Sequence, residues 1–473
     1  MLREYDAVVV GSGPNGLAAA VALARARRRV LVLEAAETLG GGLRSAELTL
    51  PGFVHDVCAA VVPLTLASPF LSALPLADFG LRLVQPQIAL AHPLDDGTAA
   101  VLTRSIDQTA ASLGSDGAAY ARLMGPLVAA WPQLVQELLG PFRVPRHPLA
   151  LARFGLPAIL PATLLARRLF RQPTAQALFA GVSAHSMLPL ERPISAAFGL
   201  VLSMLGHGVG WPIVRGGSQR LAEALVAYLG ALGGHTRTDY HVDSLAEVPR
   251  HRAALLDLAP RQVLEIEGAV LPVPYRRQLA RYRHGPGIFK VDWALDRPIP
   301  WSAEPCRVAG TLHLGGALAE VAASERRVWN GQPAERPFVI LVQPTLVDST
   351  RAPAGRHTAW AYCHVPHGST ADMTRAIEAQ VERFAPGFQS RILARSVRNA
   401  RQMEAYNANY VGGDINGGVQ DLWQTWTRPV ARAVPYATPD PRLFICSSST
   451  PPGGGVHGMC GFHAARTALR RLR

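Results

Sequence analysis

The sequence predicts an α/β fold with clear structure at both ends of the chain. The N-terminal end has an apolar run, a glycine-rich turn, an alanine-rich segment and a second apolar run. The C-terminal end has a short apolar run, another glycine-rich turn and a helical pattern, and alternating β-rich segments lie between the ends. Apolar runs bounded by glycine favour buried strands, and alanine favours helix. We therefore expect a βαβ unit, a second sheet and a C-terminal helix.

The N-terminal unit can be predicted element by element. Residues 6–11 have the pattern of a buried strand, residues 14–28 that of a helix, and residues 29–34 that of a second buried strand. Parallel strands joined by a helix make up the first unit of a Rossmann-like sheet. The chain therefore begins with such a unit.

Three glycines lie between the first strand and the helix with the spacing Gly-x-Gly-x-x-Gly. Gly11 permits the tight turn, Gly13 lets the backbone approach a pyrophosphate, and Gly16 lets helix and strand pack closely. Pro14 and Asn15 begin the helix, whose N–H groups and dipole would face phosphate. In this context the spacing predicts a dinucleotide site.

The residues at the end of the second strand and after it limit which dinucleotide can bind. Glu34 ends that strand, where a carboxylate accepts hydrogen bonds from ribose hydroxyls and disfavours a 2′-phosphate. Residues 40–45 read Gly-Gly-Gly-Leu-Arg-Ser and resemble the second glycine motif of the glutathione-reductase-like flavoproteins. The resemblance implies that Gly41, Gly42 and Arg44 meet the pyrophosphate and flavin side of FAD. No second Gly-x-Gly-x-x-Gly follows a later strand, so a separate nicotinamide domain is not expected.

The C-terminal turn, residues 452–461, is dense in glycine and leads into a helix. Such a backbone can lie against an isoalloxazine ring, and the helix N-terminus can place its positive dipole near the flavin N1–C2 edge. We expect four residues of this turn to contact the flavin, namely Gly454, Gly455, Val456 and Gly458.

Together, the two ends resemble the phytoene dehydrogenase-like and amine oxidase-like FAD-dependent oxidoreductases. The resemblance implies a Rossmann-like FAD-binding domain of discontinuous segments plus an α+β substrate domain with a helical insertion. FAD is expected to be non-covalent, because Cys446 and Cys460 lie in no attachment pattern. The expected domains are an FAD-binding domain of residues 1–65, 210–284 and 430–473, a mostly helical, substrate- or membrane-facing insertion of residues 66–209, and an antiparallel-sheet substrate domain of residues 285–429.

Lys290 is the first candidate catalytic residue. It is the only lysine in an arginine-rich chain, which suggests a role that arginine cannot fill. Its strand is similar to the one in amine oxidases whose lysine holds a water near flavin N5. The alternative is an ordinary strand residue that points to solvent.

Asp414 and His457 are the other candidates for the catalytic site. Asp414 lies in a glycine-rich stretch, residues 410–418, and could line the substrate side with Asn416 or simply belong to a turn. His457 lies in the C-terminal turn, where it could be an acid/base, a hydrogen-bond partner of the flavin or a residue that packs against the backbone.

Composition limits the partners and the location. The net charge is +13, carried almost wholly by arginine, which fits either a compositional bias or attraction to an anionic surface. No nucleic-acid-binding motif accompanies the charge, so nucleic acid is not expected. The five cysteines are widely spaced, which argues against a disulfide framework and for a reducing cytoplasm. Isolated histidines without partner ligands predict no metal site.

Residues 149–170 leave membrane contact open. The segment is apolar on a broad face and carries arginines, as an interfacial helix would, but a buried helix of the substrate domain fits equally. No run of about 18 uncharged apolar residues occurs, so no spanning helix is expected. The protein is therefore predicted to be cytoplasmic, either free or peripheral on a membrane.

These patterns and the resemblance imply an FAD-dependent oxidoreductase, a dehydrogenase, desaturase or oxidase, that accepts hydride from a small apolar substrate such as a polyene or lipid. Oxygen or a quinone would reoxidise the flavin. Two alternatives stay open: an isomerase that uses reduced FAD, and a flavin-bearing scaffold or peripheral membrane protein without turnover. The sequence also leaves a homo-oligomer open.

Overall fold

The computed structural model describes residues 4–472, in which two main sheets are flanked by helices. In chain order the strands are β1 (Tyr5–Val10), β2 (Val30–Leu33), β3 (Ser45–Glu47), β4 (Val54–Asp56), β5 (Leu83–Val84), β6 (Ile88–Pro93), β7 (Ala99–Leu102), β8 (Ile213–Val214), β9 (His235–Arg237), β10 (His251–Leu256), β11 (Gly287–Leu295), β12 (Ala309–Leu314), β13 (Val339–Val342), β14 (His357–Val365), β15 (Ile392–Arg398) and β16 (Leu443–Ile445). The helices are α1 (Pro14–Arg25), α2 (Pro63–Ala67), α3 (Ile106–Ser112), α4 (Gly117–Ala129), α5 (Trp131–Leu138), α6 (Pro148–Ala158), α7 (Ala162–Leu169), α8 (Pro173–Ser183), α9 (Ser195–Gly208), α10 (Gln219–Ala231), α11 (Pro260–Glu265), α12 (Val273–Ala280), α13 (Leu318–Trp329), α14 (Thr374–Phe384), α15 (Ala400–Tyr406), α16 (Leu422–Thr427) and α17 (Met459–Arg471).

The first sheet is parallel and runs in the order β16-β10-β1-β2-β9. The chain leaves β1 toward β2 on one side and later adds β10 on the other, so the strand order reverses beside β1. In open α/β sheets, ligands bind outside the carboxyl ends of the strands at such a switch point. Gly11, Glu34 and Asp257 directly follow β1, β2 and β10, so this edge contains the predicted dinucleotide motif.

Helix α1 ties the two ends of the chain together. Its residues from Asn15 to Ala24 are buried, as expected for an alanine-rich helix that packs on both sides. The glycine at position 461 lets α17 approach it closely, because a Cβ there would lie 1.8 Å from the Asn15 carbonyl oxygen. The predicted helix over residues 14–28 ends early, at Arg25, since Arg27 adopts a left-handed φ of 58°.

The second sheet runs in the order β15-β11-β14-β13-β12-β6-β7. It was expected to be antiparallel, and one pair departs from this: β6 and β12 are parallel. Strands β6 and β7 come from the segment that was predicted to be mostly helical, residues 66–209. The long connection from β7 to β12 separates these strands in sequence, so local patterns could not reveal their pairing.

The segment 149–170 is not one helix. Helices α6 and α7 are separated by a break that ends at Pro161, which lacks an amide donor and disfavours helical geometry at Leu160. Among residues 4–472, no single helix is both long and apolar enough to cross a membrane. Helices α6 and α7 reach the necessary length and apolarity only together, and they bend by 95° at the break.

Candidate active site

The glycine motif has the geometry that its spacing predicted. Gly11 has a φ of 96°, which favours glycine, and a Cβ on Gly16 would lie 2.1 Å from the Gly11 carbonyl oxygen. Gly13 caps α1, and Pro14 begins the helix. The N-terminus of α1 therefore lies at the carboxyl edge of the parallel sheet, next to Asp257.

Glu34 is the centre of a buried polar network at the end of β2. Its carboxylate accepts hydrogen bonds from the Ser12 N–H at 2.9 Å, the Ser12 hydroxyl at 2.5 Å and the Ala36 N–H at 3.1 Å. Arg44 donates to the same carboxylate at 3.0 Å and to the Thr38 carbonyl oxygen at 2.9 Å. In this structure the Arg44 guanidinium is paired with the Glu34 carboxylate and fixes its position.

Gly41 and Gly42 bring the second glycine stretch against the first. A Cβ on Gly41 would lie 2.9 Å from the Gly13 Cα, and Gly41 has a φ of 55°. A Cβ on Gly42 would lie 2.1 Å from the Tyr410 hydroxyl oxygen. The Tyr406 hydroxyl donates to the Gly41 carbonyl oxygen at 2.9 Å, which closes the loop over the motif.

The C-terminal turn lies beside the N-terminus of α1. Gly455 and Val456 line a cavity there, and Gly455 has a φ of 119°. A Cβ on Gly454 would lie 2.7 Å from the Asn416 carbonyl oxygen, and a Cβ on Gly458 would lie 2.7 Å from the Ala18 Cβ. The backbone of this turn is therefore packed on both sides.

His457 is buried within the turn and bonds only to its backbone. Its Nδ1 accepts from the Met459 N–H at 3.0 Å, so Nε2 carries the proton and donates to the Gly453 carbonyl oxygen at 3.2 Å. Burial lowers the pKa of His457 to about 4, which keeps the ring neutral. Because both nitrogens are used, the geometry assigns His457 to shaping the turn.

The Asp414 carboxylate also accepts its hydrogen bonds from backbone N–H groups. One of its oxygens accepts from the Gly285 N–H at 2.7 Å and the Gly418 N–H at 2.8 Å, and the other accepts from the Asn416 N–H at 2.9 Å. Asp414 does not line the neighbouring cavity, whereas Asn416 does. The carboxylate organises the glycine-rich loop and points Asn416 toward the cavity side.

Lys290 lies on β11 and is fully buried, so it does not point to solvent. Its ammonium forms an ion pair with Asp292 and lies 5.2 Å from the centroid of the Trp360 ring. Trp360 lines the cavity and Lys290 does not. The Trp360 ring therefore lies between the Lys290 ammonium and the cavity.

Two cavities meet at the N-terminus of α1. The polar cavity, of about 450 Å³, extends past Glu34, Arg44 and the loop after β9. The apolar cavity, of about 280 Å³, extends the other way, toward the second sheet. The side chains and backbone that line both cavities are those of Gly13, Asp257, Asn407 and Asn409.

The wall of the apolar cavity is mostly aliphatic and aromatic. Among residues 4–472, Asp257 supplies its only charged side chain, at the junction with the polar cavity. Three buried polar atoms of residues in this wall have no hydrogen-bond partner in the protein, Asn15 Oδ1, Trp360 Nε1 and Asn416 Nδ2. The apolar residues of the wall are Ala59, Ala60, Val61, Val62, Pro63, Leu64, Leu202, Trp211, Ile340, Val342, Trp360, Tyr362, Ile415 and Val456.

Sequence reasoning missed several residues of this site. Asp257 carries a signal that could have revealed it, because it ends a buried parallel strand just as Gly11 and Glu34 do. Trp360 and Tyr362, which project from β14, had no such signal. Nothing in the local sequence shows which face of that strand meets a cavity.

Residues 9–73 match the family described as NAD(P)-binding Rossmann-like domain. A mouse protein named pyridine nucleotide-disulfide oxidoreductase domain-containing protein 2 is 26% identical, over 99% of this chain and 94% of its own length. Hydroxyneurosporene desaturase of Cereibacter sphaeroides is 31% identical, over 46% of each chain. The structure of putrescine oxidase bound to putrescine superposes with a TM-score of 0.63 at 17% identity, covering 99% of both chains.

At that identity, the structural likeness to putrescine oxidase establishes the fold alone. The relatives by sequence extend the likeness along the whole chain and include a desaturase. The fold predicted from the glycine motifs is therefore confirmed, and the predicted resemblance stands as a similarity: the chain is similar in sequence to an oxidoreductase domain-containing protein and to a desaturase, and it has the fold of putrescine oxidase.

Proposed function

We propose that the protein binds FAD non-covalently across both cavities and oxidises an uncharged, apolar substrate held in the apolar cavity. The observation that carries this proposal is the junction of the two cavities at the N-terminus of α1. A dinucleotide laid through this junction would place its ribose near Glu34 and its pyrophosphate at the helix N-terminus. Its ring would then lie beside Gly455 and Val456, in the apolar cavity.

The residues present suit such a cofactor. Glu34 can accept from ribose hydroxyls once the Ser12 hydroxyl, which now donates to it, rotates away, and the unpartnered Asn15 oxygen lies at the helix N-terminus. When bound, FAD would supply a ring that accepts a hydride equivalent. The protein's own groups would exclude water and orient the substrate, chiefly through Trp360, Tyr362 and Trp211.

Three thiols bear on the attachment of the flavin. Cys446 and Cys460 are fully buried and do not line the apolar cavity. Cys58 lines it, but burial raises the pKa of its thiol, and a protonated thiol is a weak nucleophile. We therefore expect precipitation with acid to release all the flavin into solution.

The wall of the apolar cavity favours a hydrocarbon-like substrate such as a polyene or lipid. An amine is the second candidate, because the Trp360 and Tyr362 rings stack side by side at 5.9 Å and 12°, and aromatic faces attract cations. The Trp360 ring already has a cation over it, the Lys290 ammonium paired with Asp292, so it would attract a second cation less strongly. For this reason the uncharged substrate ranks first.

The test is an anaerobic titration of the yellow protein, followed by flavin absorbance. Apolar polyenes or other unsaturated hydrocarbons should bleach the flavin, and primary amines of similar size should not. Admitting oxygen or a soluble quinone then identifies the acceptor. Bleaching by amines alone would favour the second candidate. Product formation without net reduction of any acceptor would favour an isomerase, and a purified protein that neither contains nor takes up FAD would refute the proposal.

A surface around α6 supports a second part of the proposal, peripheral contact with an anionic membrane. Phe142, Val144, Leu149 and Leu156 are 74–88% exposed there. Residues 140–171 contain six arginines and no acidic residue, which complements anionic headgroups.

Vesicle binding tests this contact. The protein should co-sediment with phosphatidylserine-containing vesicles and not with neutral ones, and the variant Leu149→Glu/Leu156→Glu should lose binding. The matched control is Val270→Glu/Val273→Glu, which changes two exposed valines elsewhere and should still bind. Equal loss in both variants, or no binding by the wild type, would contradict the membrane contact.

A further inference from the structure

Asp257 occupies the junction of the two cavities. It follows β10 at the carboxyl edge of the parallel sheet and is 4% exposed. Its backbone is fixed, because the Asn409 side chain donates to the Asp257 carbonyl oxygen at 2.7 Å. Whatever runs from the polar cavity to the apolar one must pass this carboxyl group.

The Asp257 carboxyl group covers the N-terminus of α1. Its Oδ2 accepts a hydrogen bond from the Gly16 N–H at 2.8 Å, and a Cβ on Gly13 would lie 2.7 Å from the same oxygen. The amides that a pyrophosphate would use are therefore beside an acidic side chain. A second acid, Glu34, lies near it at the end of β2.

In residues 4–472, no unpaired arginine or lysine lines the polar cavity to offset these charges. Among the residues described, the arginines that line the polar cavity are Arg44 and Arg261, and each is paired with a glutamate, Glu34 and Glu404. The thiols of Cys446, which follows β16, and of Cys460 on α17 also interact with Asp257. Two phosphates placed here would meet an ionised Asp257 as a like charge.

We propose that Asp257 is a proton-linked cofactor-binding residue. In this proposal, which rests on the proposed binding of FAD, the carboxyl group is neutral in the complex and donates its O–H to a phosphate oxygen. The Gly16 N–H then donates either to a remaining lone pair of the Asp257 carboxyl group or to the phosphate. Binding of FAD above neutral pH then takes up one proton at Asp257.

The charge balance of the free protein agrees with this role. Burial, with a smaller contribution from the Glu34 charge, raises the pKa of Asp257 to about 7 against the opposing hydrogen bond from the Gly16 N–H. A nearby phosphate dianion raises it again in the complex. Below its free pKa the acid is already neutral, so FAD affinity is constant there. Above that pKa a proton must be bound, and affinity falls about tenfold per pH unit.

The test measures the dissociation constant of FAD from the holoprotein between about pH 6 and pH 9, by ultrafiltration and flavin fluorescence. The wild type should lose affinity above about pH 7 with that slope. Asp257→Asn carries a permanent donor and a permanent acceptor of the same shape. Its affinity should be independent of pH and should exceed that of the wild type at the alkaline end by about tenfold or more.

Asp243→Asn is the matched control. Asp243 lines the same polar cavity, but its side chain is 77% exposed. The control removes one negative charge from the rim and should keep the wild-type slope. If Asp243→Asn flattened the slope as well, general electrostatics would explain the effect and the proposal would fail.

Infrared spectroscopy of the wild-type holoprotein keeps the proposal testable even if Asp257→Asn folds poorly. At about pH 8 the C=O stretch of a protonated carboxylic acid should gain intensity when FAD binds, compared with the same protein without FAD, because other buried acids such as Asp292 contribute equally to both spectra. An affinity that does not change with pH, together with the absence of that gain, would overturn the role of Asp257. Failure to bind FAD at any pH would instead overturn the proposed function, so the two failures can be told apart.

Discussion

The polar and apolar cavities lie in one cleft but are built in different ways. The polar cavity is formed around backbone turns and one buried ion pair, Arg44 with Glu34, close together in the sequence, and its wall is completed by the loop after β9, by α11 and by the segment at the end of α15. The apolar cavity is formed by side chains from helices and strands that are far apart in the chain. In the proposed function, the first region would recognise a ligand through fixed spacing, and the second through shape.

This difference also appears in the polar groups. At Glu34 each carboxylate oxygen has at least two partners within the protein. Near the apolar cavity, Asn15 Oδ1 and Asn416 Nδ2 have none. The polar cavity is therefore organised before any ligand binds, whereas the apolar cavity leaves groups for a ligand to satisfy.

Acidification should have the largest effect. Histidines that are neutral in the native state gain protons on unfolding, so stability falls as the pH drops from about 6.5 to about 4, by about 1.4 kcal/mol per pH unit for each titrating histidine. Urea unfolding at several pH values measures this slope. The pKa is lowered by burial to about 3 for His55 and His185 and to about 4 for His92, His207, His457 and His463.

Two buried acids offset part of that loss. Burial raises the pKa values of Asp257 and Asp292, so these groups bind protons in the native state before the unfolded chain does. His92→Gln should make the slope shallower, whereas the exposed His241→Gln should leave it unchanged. A stability that stays constant between about pH 6.5 and pH 4.5 would contradict the neutral burial of these histidines.

Glu34→Ala should have the next largest effect and should act on the polar cavity alone. It leaves the buried Arg44 without its carboxylate, at a cost of about 3–5 kcal/mol in the free energy of unfolding. It also removes the acceptor expected for the ribose hydroxyls, so flavin content should fall. Thermal unfolding and the flavin-to-protein absorbance ratio measure both effects. The exposed Glu37→Ala is the control, and a Glu34→Ala protein with full flavin content would contradict the assignment.

The same difference explains what the sequence could predict. The turn at Gly11 and the acid at Glu34 follow from local spacing, because each depends on residues close in the chain. The pairing of β6 with β12 and the cavity wall at Trp360 depend on contacts between distant segments, which no local pattern records. Lys290 shows the limit most clearly: its rarity in the sequence drew attention to it, but only the structure shows that Asp292 holds it behind Trp360.

The smallest expected effect is that of the double variant Lys290→Met/Asp292→Asn, at the apolar cavity. Removing both charges together avoids a single unpaired buried charge, so the free energy of unfolding should change by less than about 1 kcal/mol. Flavin content should stay unchanged, because neither residue lines a cavity. Stopped-flow reduction of the flavin by a substrate found in the titration should remain within about threefold of the wild type.

A larger loss in the rate of flavin reduction by the double variant would reverse this interpretation. If the rate of flavin reduction fell by about 10² while folding and flavin content were kept, Lys290 would act on the reaction and the catalytic role predicted from its strand would hold. Asp292→Asn alone is the informative companion, since it frees the ammonium without removing it. Should that single variant reduce as fast as the wild type while the double variant does not, the ammonium itself would be the group that acts, reaching past Trp360 to the cavity.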